Sequence, residues 1–169
     1  MPGAKKEKSV RKLVMVGAVL AMVWSAQALA GEERQRPTPA SGTFVSAALE
    51  GDVLKWTLDL GQDAGKKTYE MTAEVRADYV EKEGVKEAQR IRRTGGREMP
   101  AKEGVTAVKG KFVSAKLDGE KVIVSIMPAG AEKAVEVTLP KLLSVYYREA
   151  EGKLNAFSIG VPRPPAAKQ

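Results

Sequence analysis

The sequence predicts an all-β protein built from two homologous antiparallel units, and three observations support this prediction. Apolar and polar residues alternate with a period of two over several short stretches, as expected for strands that bury one face. An acidic residue followed by glycine separates consecutive stretches, which is typical of hairpin turns. The same pattern recurs 68 residues further along the chain. We therefore expect two related β units after an N-terminal helical signal segment.

The first thirty residues have the three parts of a secretory signal peptide. Residues 1–12 carry five basic side chains and one acidic one, and Leu13–Trp24 is an uncharged apolar run. Small residues then form an A-x-A cleavage pattern that ends at Ala30. We predict cleavage after Ala30, a periplasmic or secreted mature protein, and no membrane association after cleavage. The alternative is an uncleaved anchor over residues 13–30, because 18 uncharged residues are about enough to span a bilayer.

Most of the basic character of the chain belongs to this targeting segment. The whole chain has a net charge of +7, with 28 Lys+Arg against 21 Asp+Glu. Residues 1–30 contribute +4 of that charge, so the predicted mature chain carries +3. A basic pI therefore does not by itself indicate a nucleic-acid partner, and we expect none.

The internal repeat can be aligned without gaps. Placing residues 42–91 over residues 110–159 gives 13 identities in 50 positions. The identities cluster in the pair GTFVSAALEGD and GKFVSAKLDGE, and again in the pair YVEKEG and YREAEG. Turn chemistry kept at a fixed spacing indicates a duplicated supersecondary unit.

Each unit is predicted to contain five strands. Val85–Arg93 also has good helix formers, but its counterpart Leu154–Ile159 does not, so we interpret both as strands. In the first copy the predicted strands span residues 43–49, 53–60, 67–75, 76–82 and 85–91.

The turns between these strands are predicted from acidic-glycine pairs. Asp118-Gly119 predicts a type I′ hairpin turn with positive φ at both residues, and Glu50-Gly51 is its weaker equivalent. Glu83-Gly84 and Glu151-Gly152 are expected to close a second hairpin in each copy.

Size favours packing of the two units against each other. A unit of about 50 residues without disulfide or metal buries only about 60% of its unfolded surface. We therefore expect two small OB-like or SH3-like barrels, or half-sandwiches, packed across their apolar faces. The alternative is two independent barrels joined by a basic connector, residues 92–109. Residues 31–41 and 160–169 are rich in proline and polar residues and are predicted to be disordered.

Two segments of the repeat carry further sequence patterns, which are G-x-φ-V-S-x-x-L-x-G (φ apolar) and the ending KLLSVYYREAEGKLNAFSI. They resemble a family of exported bacterial domains of unknown function. The resemblance covers about 100 of the 139 predicted mature residues, and residues 110–159 fit better than residues 42–91. It implies small OB-like β-barrels that occur as repeats, and it implies no activity, cofactor or site residue.

Composition restricts the chemistry. The chain has no cysteine and no histidine, which excludes disulfides, thiolate nucleophiles, Ser-His-Asp triads and Cys/His zinc sites. Two recurrent carboxylate pairs, Glu81/Glu83 and Glu149/Glu151, have the composition of a glycosidase-like acid/base pair. We interpret them instead as solvated residues beside tight turns. We expect no catalytic residue, no metal and no cofactor.

The candidate binding site is a set of arginines near Thr94-Gly95-Gly96. Such guanidinium groups either lie in a solvated loop or bind phosphates, sulfated glycans or lipid headgroups. We predict a non-catalytic binding or structural module of the cell envelope, with an unidentified envelope or extracellular partner. The second hypothesis is a polyanion or glycan binder that uses these arginines, and the third is an enzyme with carboxylate-only chemistry. The candidate residues are Arg90, Arg92, Arg93 and Arg97.

Overall fold

The computed structural model describes residues 36–95, 100 and 102–163, and these residues confirm the all-β prediction. They contain ten strands and no helix, so within them no helix is long and apolar enough to cross a membrane. The predicted signal peptide, Arg97 and the end of the predicted tail lie outside the described residues. The strands are β1 (Thr38–Glu50), β2 (Val53–Asp59), β3 (Lys66–Thr72), β4 (Glu74–Lys82), β5 (Val85–Arg93), β6 (Thr106–Asp118), β7 (Lys121–Pro128), β8 (Val135–Pro140), β9 (Leu142–Ala150) and β10 (Lys153–Gly160).

The strands form one continuous sheet that closes on itself twice. Their order is β3-β2-β1-β9-β10-β5-β4-β6-β7-β8. Two parallel contacts, β10 with β3 and β5 with β8, close the circuits. We call the strands β1, β2, β3, β9 and β10 ring 1, and the strands β4 to β8 ring 2. Each ring is a small closed β-barrel, which leaves few unpaired strand edges.

Each ring contains a hairpin from the other half of the sequence. The chain leaves ring 1 at Ala73, the single residue between β3 and β4, and enters ring 2 by pairing β4 with β6. It returns at Lys141, between β8 and β9, where β9 pairs with β1. Backbone hydrogen bonds fix both crossing points: Phe112 N donates to Ala73 O (2.8 Å), and Phe44 N donates to Lys141 O (2.9 Å).

Long-range pairing also explains where the strand boundaries differ from the predicted ones. β1 begins at Thr38, inside the segment predicted to be disordered, because residues 38–43 pair with β9. The break between the third and fourth strands falls at Ala73 rather than between residues 75 and 76. β5 continues to Arg93, so the connector is shorter than the predicted 92–109. The interpretation of Val85–Arg93 as a strand is confirmed.

The predicted type I′ turn at Asp118-Gly119 is wrong. Asp118 remains in β6, the turn is formed by Gly119 and Glu120, and of these only Gly119 has a positive φ (59°). A glycine with positive φ at the first turn position is enough to reverse the chain in this tight hairpin, so Glu120 does not have to adopt a strained conformation. Glu50-Gly51 differs from the prediction in the same way, because Glu50 stays in β1 opposite Val53 and Gly51 alone of the pair has a positive φ (62°). The predicted hairpins at Glu83-Gly84 and Glu151-Gly152 have positive φ at both positions, as a type I′ turn requires.

An aromatic contact joins the two rings in one core. Trp56 of ring 1 is completely buried between Phe44 of ring 1 and Phe112 of ring 2. Both contacts are edge-to-face, with ring centroids 5.8 and 6.0 Å apart. Each such pair contributes about 0.5–1.5 kcal/mol beyond its buried area. The buried side chains of both rings form a single hydrophobic cluster, so the rings share their interior.

Two aromatic side chains in the core of ring 1 carry buried polar atoms that no protein group satisfies. Trp56 and Tyr69 lie opposite each other on β2 and β3, and both are 0% exposed. Trp56 Nε1 and Tyr69 Oη have no hydrogen-bond partner. Tyr69 packs edge-to-face on Tyr147, with centroids 5.1 Å apart. Burial, with a smaller effect from Tyr147, raises the pKa of the Tyr69 phenol above its ordinary 10.0.

Replacing Tyr69 with phenylalanine is therefore expected to stabilise the protein. The change removes an unsatisfied hydroxyl, and we expect the free energy of unfolding to rise by about 1 kcal/mol in urea titrations at pH 7. A raised folded-state pKa means that stability is fully present below pH 10 and falls as the pH rises through the folded-state pKa. Tyr69→Phe should lose less stability than the wild type in that alkaline range. Tyr146→Phe, at a half-buried tyrosine, is the control, and a destabilised Tyr69→Phe would contradict the prediction.

Candidate functional site: an arginine cluster around Asp78

The β4–β5 hairpin places three arginines and one aspartate together. Arg76 on β4 lies opposite Arg92 on β5, and Asp78 lies opposite Arg90. Because alternate residues of a strand point to the same side, these four side chains share one face of the hairpin. The intervening residues 75, 77 and 91 are completely buried on the other face. We call the four residues the arginine cluster.

Asp78 is the centre of this cluster. It is 7% exposed, one of two buried polar or charged residues in the described part of the chain. Arg76 Nε donates to Asp78 Oδ1 at 2.9 Å, and Arg90 Nη2 donates to Oδ2 at 3.4 Å. Arg92 Nη2 lies 3.5 Å from the same Oδ2. One carboxylate thus contacts three guanidinium groups.

The cluster carries more positive charge and more donors than Asp78 can match. Three guanidinium charges face one carboxylate charge, which leaves a local excess of two positive charges. Each guanidinium has five N–H donors in a fixed planar fork that suits phosphate, sulfate and carboxylate oxygens. Arg76 and Arg92 are mostly buried, whereas the Arg90 side chain is 40% exposed. Partial burial weakens solvent screening of this charge.

The aligned positions of the second half show that the fold does not need these charges. At the offset of 68, the cluster residues correspond to Ser144, Tyr146, Ser158 and Gly160 on β9 and β10. At these four positions the β9–β10 hairpin has the same strand pairing and no charged side chain. Because the same local architecture forms with small or neutral residues, the arginine cluster is a specific property of the β4–β5 hairpin.

A second pair of arginines lies beside the cluster and stacks on a phenyl ring. Phe157 is the extra residue of a β-bulge in β10, between Ala156 and Ser158. The guanidinium carbons of Arg93 and Arg148 lie 4.1 and 4.9 Å from the centroid of its ring. We call these three residues the phenyl clamp. It adjoins the cluster across β10, because Arg92 lies opposite Ser158, and Ser158 lies opposite Tyr146, two residues before Arg148. Arg93 follows Arg92 and leaves β5 on the opposite face, and its guanidinium reaches the Phe157 ring from there.

The predicted site residues are therefore only partly in the predicted place. Arg90 lies on β5, within the predicted strand 85–91, and Arg92 and Arg93 lie on the same strand rather than in the predicted connector, because β10 and β4 pair with this part of the chain. Arg97 lies outside the described residues. Sequence reasoning did not identify the other members of the two groups, which are Arg76, Asp78, Arg148 and Phe157.

The carboxylates considered for acid/base chemistry do not meet in a cleft. Glu81 and Glu83 lie at the exposed end of the β4–β5 hairpin, and Glu149 and Glu151 at that of the β9–β10 hairpin. Within the described residues, no group of three or more acidic side chains is placed to hold a metal ion. An open groove of about 610 Å³ runs between residues 109–111 and the turn at residues 127–131.

No family model, curated protein or solved structure matches this chain.

Proposed function

We propose that this protein is an exported, non-catalytic binding module of the cell envelope, and that its ligand is a polyanion. The observation that carries the proposal is the arginine cluster, in which Asp78 is shared among three guanidinium groups. An anion that approaches the exposed Arg90 meets unused donors and an uncompensated positive charge.

The strand order supports an OB-like interpretation of each ring. In ring 1, strands one, two and three are followed by the fifth and fourth strands of the other half, and the circuit closes on the first strand. Ring 2 has the same order with the halves exchanged. A closed five-stranded Greek-key circuit of this kind is typical of OB-like barrels, which serve as binding scaffolds. The resemblance to exported OB-like repeat domains is consistent with this order and remains a proposal.

Retention on a heparin column, which presents a sulfated polysaccharide, tests the anion site. The variant Arg90→Gln/Arg92→Gln removes two guanidinium charges and leaves Arg76 to pair with Asp78, so no buried carboxylate loses its last partner. We expect this variant to elute at clearly lower salt than the wild type. Lys116→Gln, on an exposed position of β6, is the control for loss of one positive charge away from the cluster, and its shift should be much smaller than half the shift of the double variant.

The result that would overturn the anion site is equal retention of the folded double variant and the wild type. Circular dichroism melting of both proteins establishes that the variant is folded. A loss of retention in Lys116→Gln about half as large as in the double variant would indicate an effect of net charge rather than a site.

Export is tested by the mass of the protein after expression in a secreting bacterial host. Because a charged segment, an apolar run and a small-residue exit precede Gly31, we expect the mature chain to begin there. Intact mass spectrometry of the periplasmic fraction measures the start site, and Ala28→Leu/Ala30→Leu should block processing. A chain that keeps residues 1–30 in the membrane fraction would support the uncleaved anchor instead.

A further inference from the structure

We infer that the arginine cluster and the phenyl clamp form one extended site for a sulfated or otherwise acidic polysaccharide chain. This inference rests on the proposed anion-binding function and deepens it by assigning the ligand class. The cluster could contact a single anion without the clamp. The two clamp arginines therefore offer further contacts for a longer ligand.

The clamp arginines are held in place without carboxylate partners. Within the described part of the chain, no aspartate or glutamate forms an ion pair with Arg93 or Arg148, and Phe157 is the group that orients both. Arg148 Nε is buried and has no acceptor. Stacking on an aromatic ring fixes the guanidinium plane while its charge remains uncompensated. The clamp therefore presents two preoriented positive charges to a ligand.

The distance from the cluster to Arg148 favours a chain over a single anion. From Arg92 on β5 the surface crosses β10 and reaches β9, which carries Arg148. Two inter-strand steps correspond to about 10 Å. One sulfate or phosphate group is too small to contact Arg92 and Arg148 together, but consecutive acidic groups of a polymer can do so. Linking two weak contacts in one chain strengthens binding by effective concentration.

The aromatic side chains argue against a single-stranded nucleic acid. Proteins that bind such strands present open aromatic faces on which bases stack. Here Trp56, Tyr69 and Phe112 are buried in the core, and two guanidiniums cover the Phe157 ring. The half-buried Tyr146, opposite Ser158, is then a single partly exposed aromatic ring beside the site. Successive bases need several such rings, so the surface better suits a ligand that has acidic groups and no bases.

The experiment compares a heparin-derived disaccharide with a decasaccharide by isothermal titration calorimetry at low salt, using the protein without its first 30 residues. For the variant Arg93→Gln/Arg148→Gln we expect about tenfold weaker binding of the decasaccharide and unchanged binding of the disaccharide, because only the long chain reaches both groups. The Lys116→Gln control should match the wild type with both ligands. Phe157→Leu, which removes the stacking surface and keeps both charges, should weaken only the decasaccharide, by a smaller factor.

The outcomes separate this inference from the proposed function. If Arg93→Gln/Arg148→Gln binds both saccharides as the wild type does, while Arg90→Gln/Arg92→Gln loses binding, the cluster acts alone and the extended site is refuted. If neither variant changes binding, the proposed anion site itself falls. If a ten-thymidine oligonucleotide binds as tightly as the decasaccharide, and the clamp variant weakens both equally, the assignment to a polysaccharide is wrong.

Discussion

Cleavage of the chain between β5 and β6 is expected to leave a folded complex of two fragments that cannot fold separately. The first fragment contains β1 to β5 and the second β6 to β10, so each ring draws strands from both fragments. Ring 1 needs β9 and β10 of the second fragment to close, and ring 2 needs β4 and β5 of the first. A fragment alone would leave three strands with open edges and an uncovered apolar face.

The shared core strengthens this expectation. Trp56 loses its contact with Phe112 when the second fragment is removed, and Phe44 then remains its aromatic neighbour in the first fragment. Removing the second fragment takes away the whole buried Phe112 side chain; deleting a large buried aromatic side chain costs about 3–5 kcal/mol, which is a large part of the stability of a small domain. We therefore expect each purified fragment to lack a cooperative thermal transition, and an equimolar mixture to regain one.

The chain can be cut at a protease site inserted in the connector at residues 96–101, and the uncut protein with this insertion is the matched control. The uncut protein carries the same insertion, so a difference after cleavage reflects loss of covalent continuity alone. Light scattering with size exclusion should give a mass equal to one copy of each fragment after cleavage, with nearly unchanged circular dichroism. A monomeric first fragment that melts cooperatively by itself would contradict the exchanged arrangement of hairpins.

Substitution of Asp78 by asparagine is expected to cause the largest stability loss of any single charge change in the arginine cluster. Asparagine keeps the shape of the side chain but removes the negative charge that Arg76, Arg90 and Arg92 share. Breaking a fully buried pair costs about 3–5 kcal/mol, and the exposure of Arg90 reduces the cost here to about 2–4 kcal/mol. Urea unfolding at pH 7 measures the difference, and Asp118→Asn at an exposed strand end is the control.

Added sulfate should partly reverse the effect of Asp78→Asn. With the carboxylate gone, an anion from solution is the remaining partner for the three guanidiniums, and binding to the folded state stabilises it. Sulfate also stabilises proteins in general, so the quantity of interest is the gain of the variant beyond that of the wild type at equal ionic strength. Asp78→Asn should also be retained longer on heparin. A free energy of unfolding for Asp78→Asn within about 0.5 kcal/mol of the wild-type value would show that Asp78 does not couple the three arginines.

The strands themselves could be predicted from the sequence, because alternation is a local property. Leu54, Trp56 and Leu58 alternate with polar residues, and all three are completely buried on β2. Tyr69 alternates in the same way with Thr68 and Glu70, and it is completely buried on β3. Strand pairing is different, since it depends on contacts between distant segments. Nothing local to Ala73 indicates that the chain passes there from one ring into the other.

The candidate site could be predicted only in part for the same reason. Arg90, Arg92 and Arg93 stand out as a basic run, but their partners lie on other strands. Asp78 meets Arg90 through the register of the β4–β5 hairpin, which shifts by one residue between Asp78 and Tyr79. Arg93 meets Phe157 because β10 pairs with β5 from the far end of the chain. A β-bulge and a long-range strand pairing thus determine which side chains meet at the candidate site, and neither has a strong sequence signal.

Each ring contains a hairpin from the other half of the chain, and this arrangement determines the order in which the rings can fold during synthesis. Thr38, in the first strand of ring 1, pairs with Tyr147, and the ring closes only when β10 supplies Asn155 beside Glu70. The ribosome makes β1 to β3 first, yet these strands must wait for nearly the whole chain before their barrel can form. Pairing over such long sequence separations slows folding. Ring 2, whose strands β4 to β8 are consecutive in the chain, can be completed earlier and offers the template on which ring 1 is assembled.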